Sequence, residues 1–435
     1  MIHARILSGN SFVLSAICVL ACAWSAFAQP KGFNYEESKV PAYDLPDPLL
    51  DQSGKPVKDA ESWRTARRGE ILDLFETYVY GRTPDADVKV SFDAFSRYGA
   101  AYGGKATRKE VRAYFTRGDK HAHMDILIYL PNVTTGPVPM FVGLNFHGNH
   151  TVSADPSIRL NRGWMRNSSK NANQDNQASE ASRGTASSRW AIEKILDRGY
   201  GLATIYYGDI DPDFHDEFQN GVHPLFYQQG QTKPAADEWG SIGAWAWGLS
   251  RAMDYFETDD AIDHDKVAVL GHSRLGKTSL WAGATDERFA ITISNNSGCG
   301  GAALARRRFG ETVARINTSF PHWFNDNHVK FNDKENELPV DQHMLIALMA
   351  PRPVYIASAE QDQWADPNGE FLSGKLAGPV YELFGKKGVG VEKQPALNTP
   401  VGDFVGYHYR TGKHDVTDYD WEQYLNFADR HFGRR

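Results

Sequence analysis

The sequence is poor in cysteine, which excludes a fold held together by a disulfide framework. It has three cysteines in 435 residues, and two of them, Cys18 and Cys22, lie in an apolar N-terminal stretch. If that stretch is removed as a targeting segment, only Cys299 remains and no intramolecular disulfide can form. Cys299 lies among glycines in NNSGCGGAA, which favours a small buried residue over a reactive thiol. The hydrophobic core must therefore stabilise the chain, and its length permits this.

An excess of basic residues is also missing. Lys and Arg number 47 against 54 Asp and Glu, which gives a formal net charge of −7. This balance argues against nucleic-acid binding, which depends on clustered positive charge. It also offers no cationic face to an anionic membrane. Hydrophobic residues make up 41% of the chain and aromatic residues 12%, so a sizeable core can form and global disorder is excluded.

The first 28 residues have the layout of a secretory signal peptide. Arg5 supplies the positive charge, residues 12–28 form the apolar segment, and the final AFA matches a cleavage site. The polar sequence that follows argues against a retained membrane anchor. We therefore predict a signal peptide over 1–28 and a single domain over 29–435. We also predict export to the periplasm or the cell exterior, without membrane attachment after cleavage.

Strand-like and helical patterns alternate along most of the chain. Apolar runs typical of buried strands lie at 138–148, 200–208, 266–271, 289–296 and 353–359. Segments with helical spacing lie between and after them, at 190–199, 239–258, 274–284, 341–350 and 421–432. This alternation predicts an α/β fold, with a mostly parallel sheet and helices on both faces. The active site of such a sheet lies at the carboxyl ends of its strands.

The N-terminal part follows a different pattern. Residues 62–81 have helical spacing, whereas 87–95, 109–115 and 124–130 are typical of antiparallel strands at a sheet edge. Residues 151–188 are polar and predict a long insertion. Such an insertion is either a mobile loop or a lid that faces the substrate.

The stretch GHSRLGK at 271–277 follows a predicted strand and opens a predicted helix. A nucleophilic serine at such a turn needs small neighbours because the backbone is strained, and the usual pattern is G-x-S-x-G. Gly271 fits, but Leu275 takes the place of the second glycine, which comes one residue later. The stretch alone supports two interpretations of Ser273 equally: a nucleophile, or an ordinary helix-capping serine.

A nucleophilic serine needs a base that is oriented by an acid, and in α/β-hydrolases the chain order is serine, acid, histidine. The loop after the strand at 353–359 offers three acids, namely Glu360, Asp362 and Asp366. The later histidines are His408, which has the pattern of a strand residue, His414, and His431 in the last helix. His414 lies on a glycine-containing loop before that helix, the usual place for the base, and we therefore favour it.

GHSRLGK resembles the G-[CH]-S-R-x-G-K signature of the glucuronoyl esterases, carbohydrate esterase family 15. Other blocks resemble family segments in the same order and together cover most of the mature chain: YVYGRTP (78–84), GLNFHGNH (143–150), RGYGLATIYYGDIDPD (198–213), GVHPLF (221–226), SNNSGCGGAA (294–303) and ASAEQDQWADPNGEF (357–371). The resemblance implies an α/β-hydrolase fold. It also implies cleavage of esters between 4-O-methyl-glucuronic acid on xylan and lignin alcohols, without a metal or another cofactor.

The resemblance also implies roles for individual residues. Ser273 matches the nucleophile, His414 matches the base, and Arg274 matches the arginine that supports the oxyanion. Positions that bind the sugar are matched by Lys277, Glu311 and Trp364. These residue types suit the task, because a sugar ring needs directed hydrogen bonds and an apolar face.

The catalytic acid is the one departure from the family's pattern. Many members carry a glutamate just after the strand that follows the serine turn, where this chain has Asn296. An amide cannot stabilise an imidazolium as a carboxylate does. Other members take the acid from the later strand, where Asp362 matches. We therefore predict Asp362 as the acid, with Glu360 and Asp366 as alternatives and Asn296 as a hydrogen-bonding neighbour.

The predicted function is that of a monomeric serine esterase that acts on glucuronate esters linking glucuronoxylan to lignin. Two alternatives stay open. An acetyl-xylan esterase or general carboxylesterase would share the triad but would not need the sugar-binding residues. The second alternative is a carbohydrate-binding protein whose catalytic triad has lost its function, with Asn296 at the position of the lost acid.

Three further motifs receive no catalytic role. Residues 208–217 alternate acids as a calcium loop does, but they lack its required glycine and glutamate, so we expect a cap or a loop network. His147 and His150 lack a third zinc ligand, so we expect them to shape the pocket. The basic run at 305–308 is expected on a solvated helix face, with a position near the pocket as the alternative.

Overall fold

The computed structural model describes residues 29–434. The chain divides into two compact units, Met1–Lys31 and Gly32–Arg435, and the first contributes only residues 29–31 to the described part. The predicted signal peptide over 1–28, with its two cysteines, lies outside the described residues. Among the residues that are described, no helix has both the length and the apolar character needed to cross a membrane.

Within residues 29–434, ten strands form one sheet in the second unit. The strands are β1 (Lys89–Ala101), β2 (Ala106–Arg117), β3 (Lys120–Pro131), β4 (Val138–Asn145), β5 (Gly201–Tyr206), β6 (Ile262–His272), β7 (Ile291–Asn295), β8 (Val354–Ala359), β9 (Val401–Gly402) and β10 (Val405–Arg410). Their spatial order is β1-β2-β3-β5-β4-β6-β7-β8-β10-β9. Every pair from β5 through to β10 is parallel. The three N-terminal strands and β9 pair antiparallel, at the two ends of the sheet.

The helices follow the strands as the alternating pattern predicts. They are α1 (Ala60–Ser62), α2 (Arg68–Phe75), α3 (Ile192–Asp197), α4 (Tyr207–Ile210), α5 (His223–Phe226), α6 (Ser241–Phe256), α7 (Arg274–Thr285), α8 (Val313–Ser319), α9 (Gln342–Ala347), α10 (Pro367–Leu376), α11 (Gly378–Glu382) and α12 (Asp418–Phe432). Two π-helical segments, Trp63–Arg67 and Glu76–Tyr80, continue α1 and α2, so the predicted helix over 62–81 is present as one helical stretch.

The sheet is buried on both faces because successive residues of its central strands point in opposite directions. In β6, Val267 and Val269 join one hydrophobic cluster, which also contains apolar residues of α6, α7 and α9. Ala268 and Leu270 join a second cluster, together with residues of α3 and α12. Helices thus cover both faces, and the predicted α/β-hydrolase architecture, with a mostly parallel sheet, is confirmed.

The expected solvated position of the basic run at 305–308 holds for Arg308, whose side chain is 42% exposed, but was wrong for the other two arginines. Its first residues form a 3-10 turn, and the side chains of Arg306 and Arg307 are only 4% exposed. Arg306 is paired with Asp341 at 3.1 Å, and Arg307 with Asp366 at 2.7 Å. Burial is possible because each guanidinium has a carboxylate partner. Those partners lie far along the chain, so the local pattern could not predict them.

Candidate active site

Ser273 lies on a strained turn between β6 and α7. Its backbone has φ 58° and ψ −129°, a conformation that costs energy for a residue with a side chain. The turn is so tight that a Cβ on Gly271 would come within 1.8 Å of the Leu275 carbonyl oxygen. A Cβ on Gly276 would lie 3.0 Å from Ser297 Cβ. Gly276 stands one position later than the second glycine of the usual pattern. Because it has no side chain, α7 can approach the loop that carries Ser297.

Asp362 and His414 meet at the carboxyl ends of β8 and β10. His414 Nδ1 lies 2.6 Å from Asp362 Oδ2. The Asp362 side chain is 6% exposed and that of His414 is 41% exposed, so a buried acid orients a ring that solvent reaches. Asn296 donates to the same Asp362 oxygen from Nδ2, at 2.9 Å. The residue in the position of the alternative acid is thus a hydrogen-bonding neighbour of Asp362.

The His414 ring lies beside the serine turn. Its centroid is 4.4 Å from that of His272, the residue directly before Ser273. His272 is itself fixed, because its Nδ1 lies 2.6 Å from Asn295 Oδ1, and burial holds the pKa of His272 well below its usual range. The three elements that carry the predicted triad therefore converge at one edge of the sheet.

Arg410 fixes the loop that carries His414. Its NH2 group donates to the carbonyl oxygens of Lys413 at 3.1 Å and Asp415 at 2.6 Å, the residues on either side of the histidine. Its Nε donates to both carboxylate oxygens of Asp420 at 2.8 Å. A buried guanidinium thus connects the loop to α12. The local sequence did not predict this role.

Arg274, the first residue of α7, is held by a buried carboxylate. Its NH1 is 3.3 Å from Asp213 Oδ2, and the Asp213 side chain is fully buried. His322 and Trp323 also donate to Asp213, at 2.9 and 2.8 Å. Burial raises the pKa of Asp213, but these hydrogen bonds and the Arg274 charge outweigh it and lower that pKa. Asp213 lies in the acidic stretch 208–217, which therefore forms a loop network, as expected.

The three predicted sugar-binding residues lie together near Ser273. Burial lowers the pKa of Lys277, and the charge of Glu311 opposes this. Burial also raises the pKa of Glu311, against the Lys277 charge and a hydrogen bond from the Trp364 side chain. The Glu311 backbone N–H donates to the Trp364 carbonyl at 3.1 Å. A cation, a carboxylate and an indole thus form one cluster.

The Lys277 ammonium forms two hydrogen bonds to the backbone. Its Nζ donates to the carbonyl oxygens of Ser297 and Cys299, the latter at 2.7 Å. An ammonium has three N–H donors, so one is left for a ligand hydroxyl. Cys299 is buried, as its glycine-rich surroundings predicted, and its carbonyl helps to aim the lysine.

An N-terminal segment completes this cluster, and no sequence signal pointed to it. The Phe33 ring packs edge-on against Trp364, with centroids 4.9 Å apart. Gly310 N donates to the Asn34 carbonyl at 2.8 Å. Burial raises the pKa of Tyr35 to about 12, and the Glu311 charge adds to the effect. Residues 33–35 thus stabilise the positions of Trp364 and Glu311.

The alternative acids and histidines are placed elsewhere. Asp366 is paired with Arg307 and caps α10, and Glu360 is half-buried on the same loop. His408 is buried in β10, with Nε2 2.9 Å from Asp420 Oδ1. His431, on α12, packs against the rings of Phe404 and Phe427.

His147 and His150, for which the sequence offers no third zinc ligand, lie in the loop after β4. His147 lines a small cavity together with Gly271 and His272, whereas His150 is buried, with Nε2 2.8 Å from Ser182 Oγ. Within residues 29–434, no group of three or more His, Cys, Asp or Glu residues is arranged to hold a metal ion.

Glu370 is a buried carboxyl just behind the predicted acid. Its Oε1 accepts from the backbone N–H groups of Ser297 and Gly298 at 2.7 and 2.9 Å, and its Oε2 accepts from Ser358 Oγ at 2.6 Å. Burial raises the pKa of Glu370 to about 8, and the nearby Asp362 charge contributes. From its position on α10, Glu370 therefore connects the loop after β7 to strand β8.

The strand order and the position of the serine turn after β6 define this protein as an α/β-hydrolase. Comparison with known proteins specifies the family. A family model for glucuronyl esterases of fungi matches residues 201–385. Carbohydrate esterase MZ0003, from an unknown prokaryotic organism, is 55% identical over 424 residues, which cover 96% of this chain and 98% of that protein. The chain belongs to the glucuronoyl esterases, carbohydrate esterase family 15.

Solved structures agree with this assignment. A promiscuous family 15 esterase from a marine bacterial metagenome has a TM-score of 0.87 and 56% identity, covering 92% of this chain and all of that one (100%). A glucuronoyl esterase from Solibacter usitatus has a TM-score of 0.87 and 53% identity, covering 91% and 100%. A fungal structure from Sporotrichum thermophile, solved with methyl 4-O-methyl-beta-D-glucopyranuronate, is 21% identical and shares the fold, with a TM-score of 0.62.

Proposed function

We propose that this protein is a serine esterase that hydrolyses esters of 4-O-methyl-glucuronic acid. The observation that carries the proposal is the 2.6 Å contact between Asp362 and His414, beside a serine on a strained turn. Membership of the glucuronoyl esterase family supports the same chemistry. Relatives named 4-O-methyl-glucuronoyl methylesterase, such as that of Phanerochaete carnosa at 28% identity, point to the uronate ester.

The proposed mechanism follows from which nitrogen of the His414 ring binds Asp362. Asp362 binds His414 through Nδ1, so Nε2 is the ring atom available to take a proton from Ser273 Oγ. The serine oxygen attacks the ester carbonyl, and Arg274 stabilises the negative oxygen that forms. His414 then gives its proton to the departing alcohol. Water, activated by the same histidine, releases the uronic acid from the acyl-enzyme.

In this proposal the cluster of Lys277, Glu311 and Trp364 binds the uronate. The free N–H of the lysine would donate to one sugar hydroxyl, and the glutamate would accept from another. The indole offers an apolar face to the ring. We extend the proposal to the natural substrate, an ester that links glucuronoxylan to lignin, and to an exported monomer.

Initial rates on two esters test the proposal. Benzyl glucuronate presents the uronate, p-nitrophenyl acetate does not, and Ser273→Ala serves as the blank. We expect a strong preference for the glucuronate in kcat/KM. We also expect Lys277→Ala and Trp364→Ala to reduce that preference. Equal or better turnover of the acetate, unaffected by these two changes, would contradict uronate recognition.

A second candidate function is a broader carboxylesterase. The 56% identical structure is described as a promiscuous esterase, which is the specific observation in its favour. It would use the same Ser273, Asp362 and His414, so the acetate rate, and not the triad variants, separates the two candidates.

A further inference from the structure

A second cavity lies beside the active site, and neither the catalytic nor the sugar-binding residues line it. Its volume is about 900 Å³, and its walls come from β2, β3, the insertion and the loop after α4. Cavities that bind small ligands have volumes of about 300–1,000 Å³. The residues that matter to its chemistry are Arg112, Arg159, Arg162, Trp164, Asp209 and Phe214.

One of its three arginines is paired with an acid, and the other two interact with acidic residues, Glu110 and Glu180, only at longer range. Arg112 is bound by both oxygens of Asp125, at 2.7 and 2.8 Å. Within residues 29–434, neither Arg159 nor Arg162 forms an ion pair, and both are exposed. The Arg159 guanidinium lies over the Phe95 ring, 3.9 Å from its centroid. A planar guanidinium held in this way is suited to bind a carboxylate.

Besides Asp125, which is paired with Arg112, the acidic residue in the cavity wall is Asp209, and it repels a bound anion only weakly. Asp209 Oδ1 accepts from Asn161 Nδ2 at 2.7 Å, and its Oδ2 accepts from Asp125 N at 3.3 Å. Burial raises the pKa of Asp209 to about 7, so in mildly acidic solution the group is largely uncharged. His121 and His123 also line the cavity. The cavity is therefore locally cationic in a chain whose net charge is −7.

Asp213 connects the cavity to the catalytic centre. Its neighbours Pro212 and Phe214 line the cavity, while its own carboxylate is 3.3 Å from Arg274 NH1. The Phe214 ring lies 4.7 Å from the ring of Trp164. A polymer whose ester group reaches Ser273 would thus pass two aromatic rings and the exposed guanidinium groups of Arg159 and Arg162 nearby.

We propose that this cavity binds the carboxylate of a second, unesterified uronic acid on the same polysaccharide chain. The inference rests on the proposed function and extends it from a single sugar to the polymer. Arg159 and Arg162 would bind the carboxylate, and Trp164 with Phe214 would contact the faces of the neighbouring sugars. An enzyme built in this way selects acid-rich stretches of its substrate.

The test compares three esters of glucuronic acid. The first is benzyl glucuronate. The second is a xylo-oligosaccharide with one methyl-esterified glucuronate, and the third carries an additional free glucuronate. We expect the parent enzyme to have the lowest KM for the third. The double variant Arg159→Gln/Arg162→Gln should raise that KM by about threefold to tenfold, since exposed charge pairs contribute modestly. The KM for benzyl glucuronate should stay unchanged.

Arg64→Gln is the matched control, because Arg64 is an exposed arginine that lies over Phe384, 4.7 Å from its centroid, and does not line the cavity. The advantage of the third ester should also fade as salt is added. Equal KM values for the second and third esters in the parent would overturn the proposal. So would a double variant that raises KM only for esters of aromatic alcohols, since the cavity would then receive the leaving group. If no glucuronate ester is hydrolysed, the proposed function itself fails.

Discussion

Asp362 Oδ2 and His414 Nδ1 lie 2.6 Å apart, although 52 positions separate the two residues along the chain. They come from the loops after β8 and β10, two strands that pair in parallel. Parallel pairing brings the carboxyl ends of both strands to the same edge of the sheet. The contact fixes the ring orientation of His414 and leaves its Nε2 directed away from the acid.

Asp362→Asn should lower kcat by about 10⁴-fold, the loss typical when the acid of a serine triad becomes an amide. The amide fixes the wrong tautomer of His414 and cannot stabilise the imidazolium. Steady-state kinetics on benzyl glucuronate would measure the loss. Glu360→Gln, which changes another acid on the same loop, is the control and should retain nearly full activity. A near-normal kcat in Asp362→Asn would show that the acid lies elsewhere.

Asn296 offers a second position for the acid, because its Nδ2 is already 2.9 Å from Asp362 Oδ2. In the double variant Asn296→Glu/Asp362→Asn, a carboxylate from the loop after β7 would replace the lost one. We expect kcat at least about tenfold above that of Asp362→Asn alone. Addition of Ser273→Ala to the double variant gives the blank. No recovery would mean that this loop cannot present a carboxylate to His414.

Asp213→Asn should weaken the function of Arg274 without touching the substrate. The amide loses the charge that holds the guanidinium and leaves an N–H group facing it. We expect kcat to fall by about tenfold while the KM for benzyl glucuronate changes little, because the oxyanion forms only in the transition state. Tyr207→Phe removes a neutral hydrogen bond to the same carboxylate, at 2.9 Å, and should cost less. Equal losses in both variants would indicate a merely structural role.

Glu370 should make the stability of the protein depend on pH. Its carboxyl has a pKa of about 8 in the folded protein and an ordinary value of 4.5. Between these values the folded state binds a proton that the unfolded chain releases. The contribution to the free energy of unfolding is therefore present below about pH 4.5 and is lost as the pH rises through about 8.

Thermal unfolding between about pH 5 and pH 8 checks this expectation. Glu370→Gln keeps the uncharged form, so the fall of Tm with rising pH should be shallower than in the parent. Glu382→Gln, a change at an exposed glutamate, should leave the slope unaltered. Parallel Tm curves for the parent and Glu370→Gln would contradict the assignment.

The sequence by itself determined the fold class and predicted the strained turn that carries Ser273. Alternating apolar and helical runs predicted the parallel sheet, because strand and helix periods are local properties. The stretch 271–277 predicted the turn at Ser273, since Gly271 is required by a clash with an atom only four residues away. The chain order of serine, acid and histidine narrowed the partners to a few residues of the loops after β8 and β10.

Only the tertiary structure decided which of those residues meet. Glu360, Asp362 and Asp366 share one loop, and its folded path brings Asp362 to His414 while Asp366 is paired with the buried Arg307. No local pattern revealed the partners of Arg274 and Arg410 either. Such contacts join segments far apart in the chain, and they exist only once the sheet has set the strand order and brought its carboxyl ends to one edge.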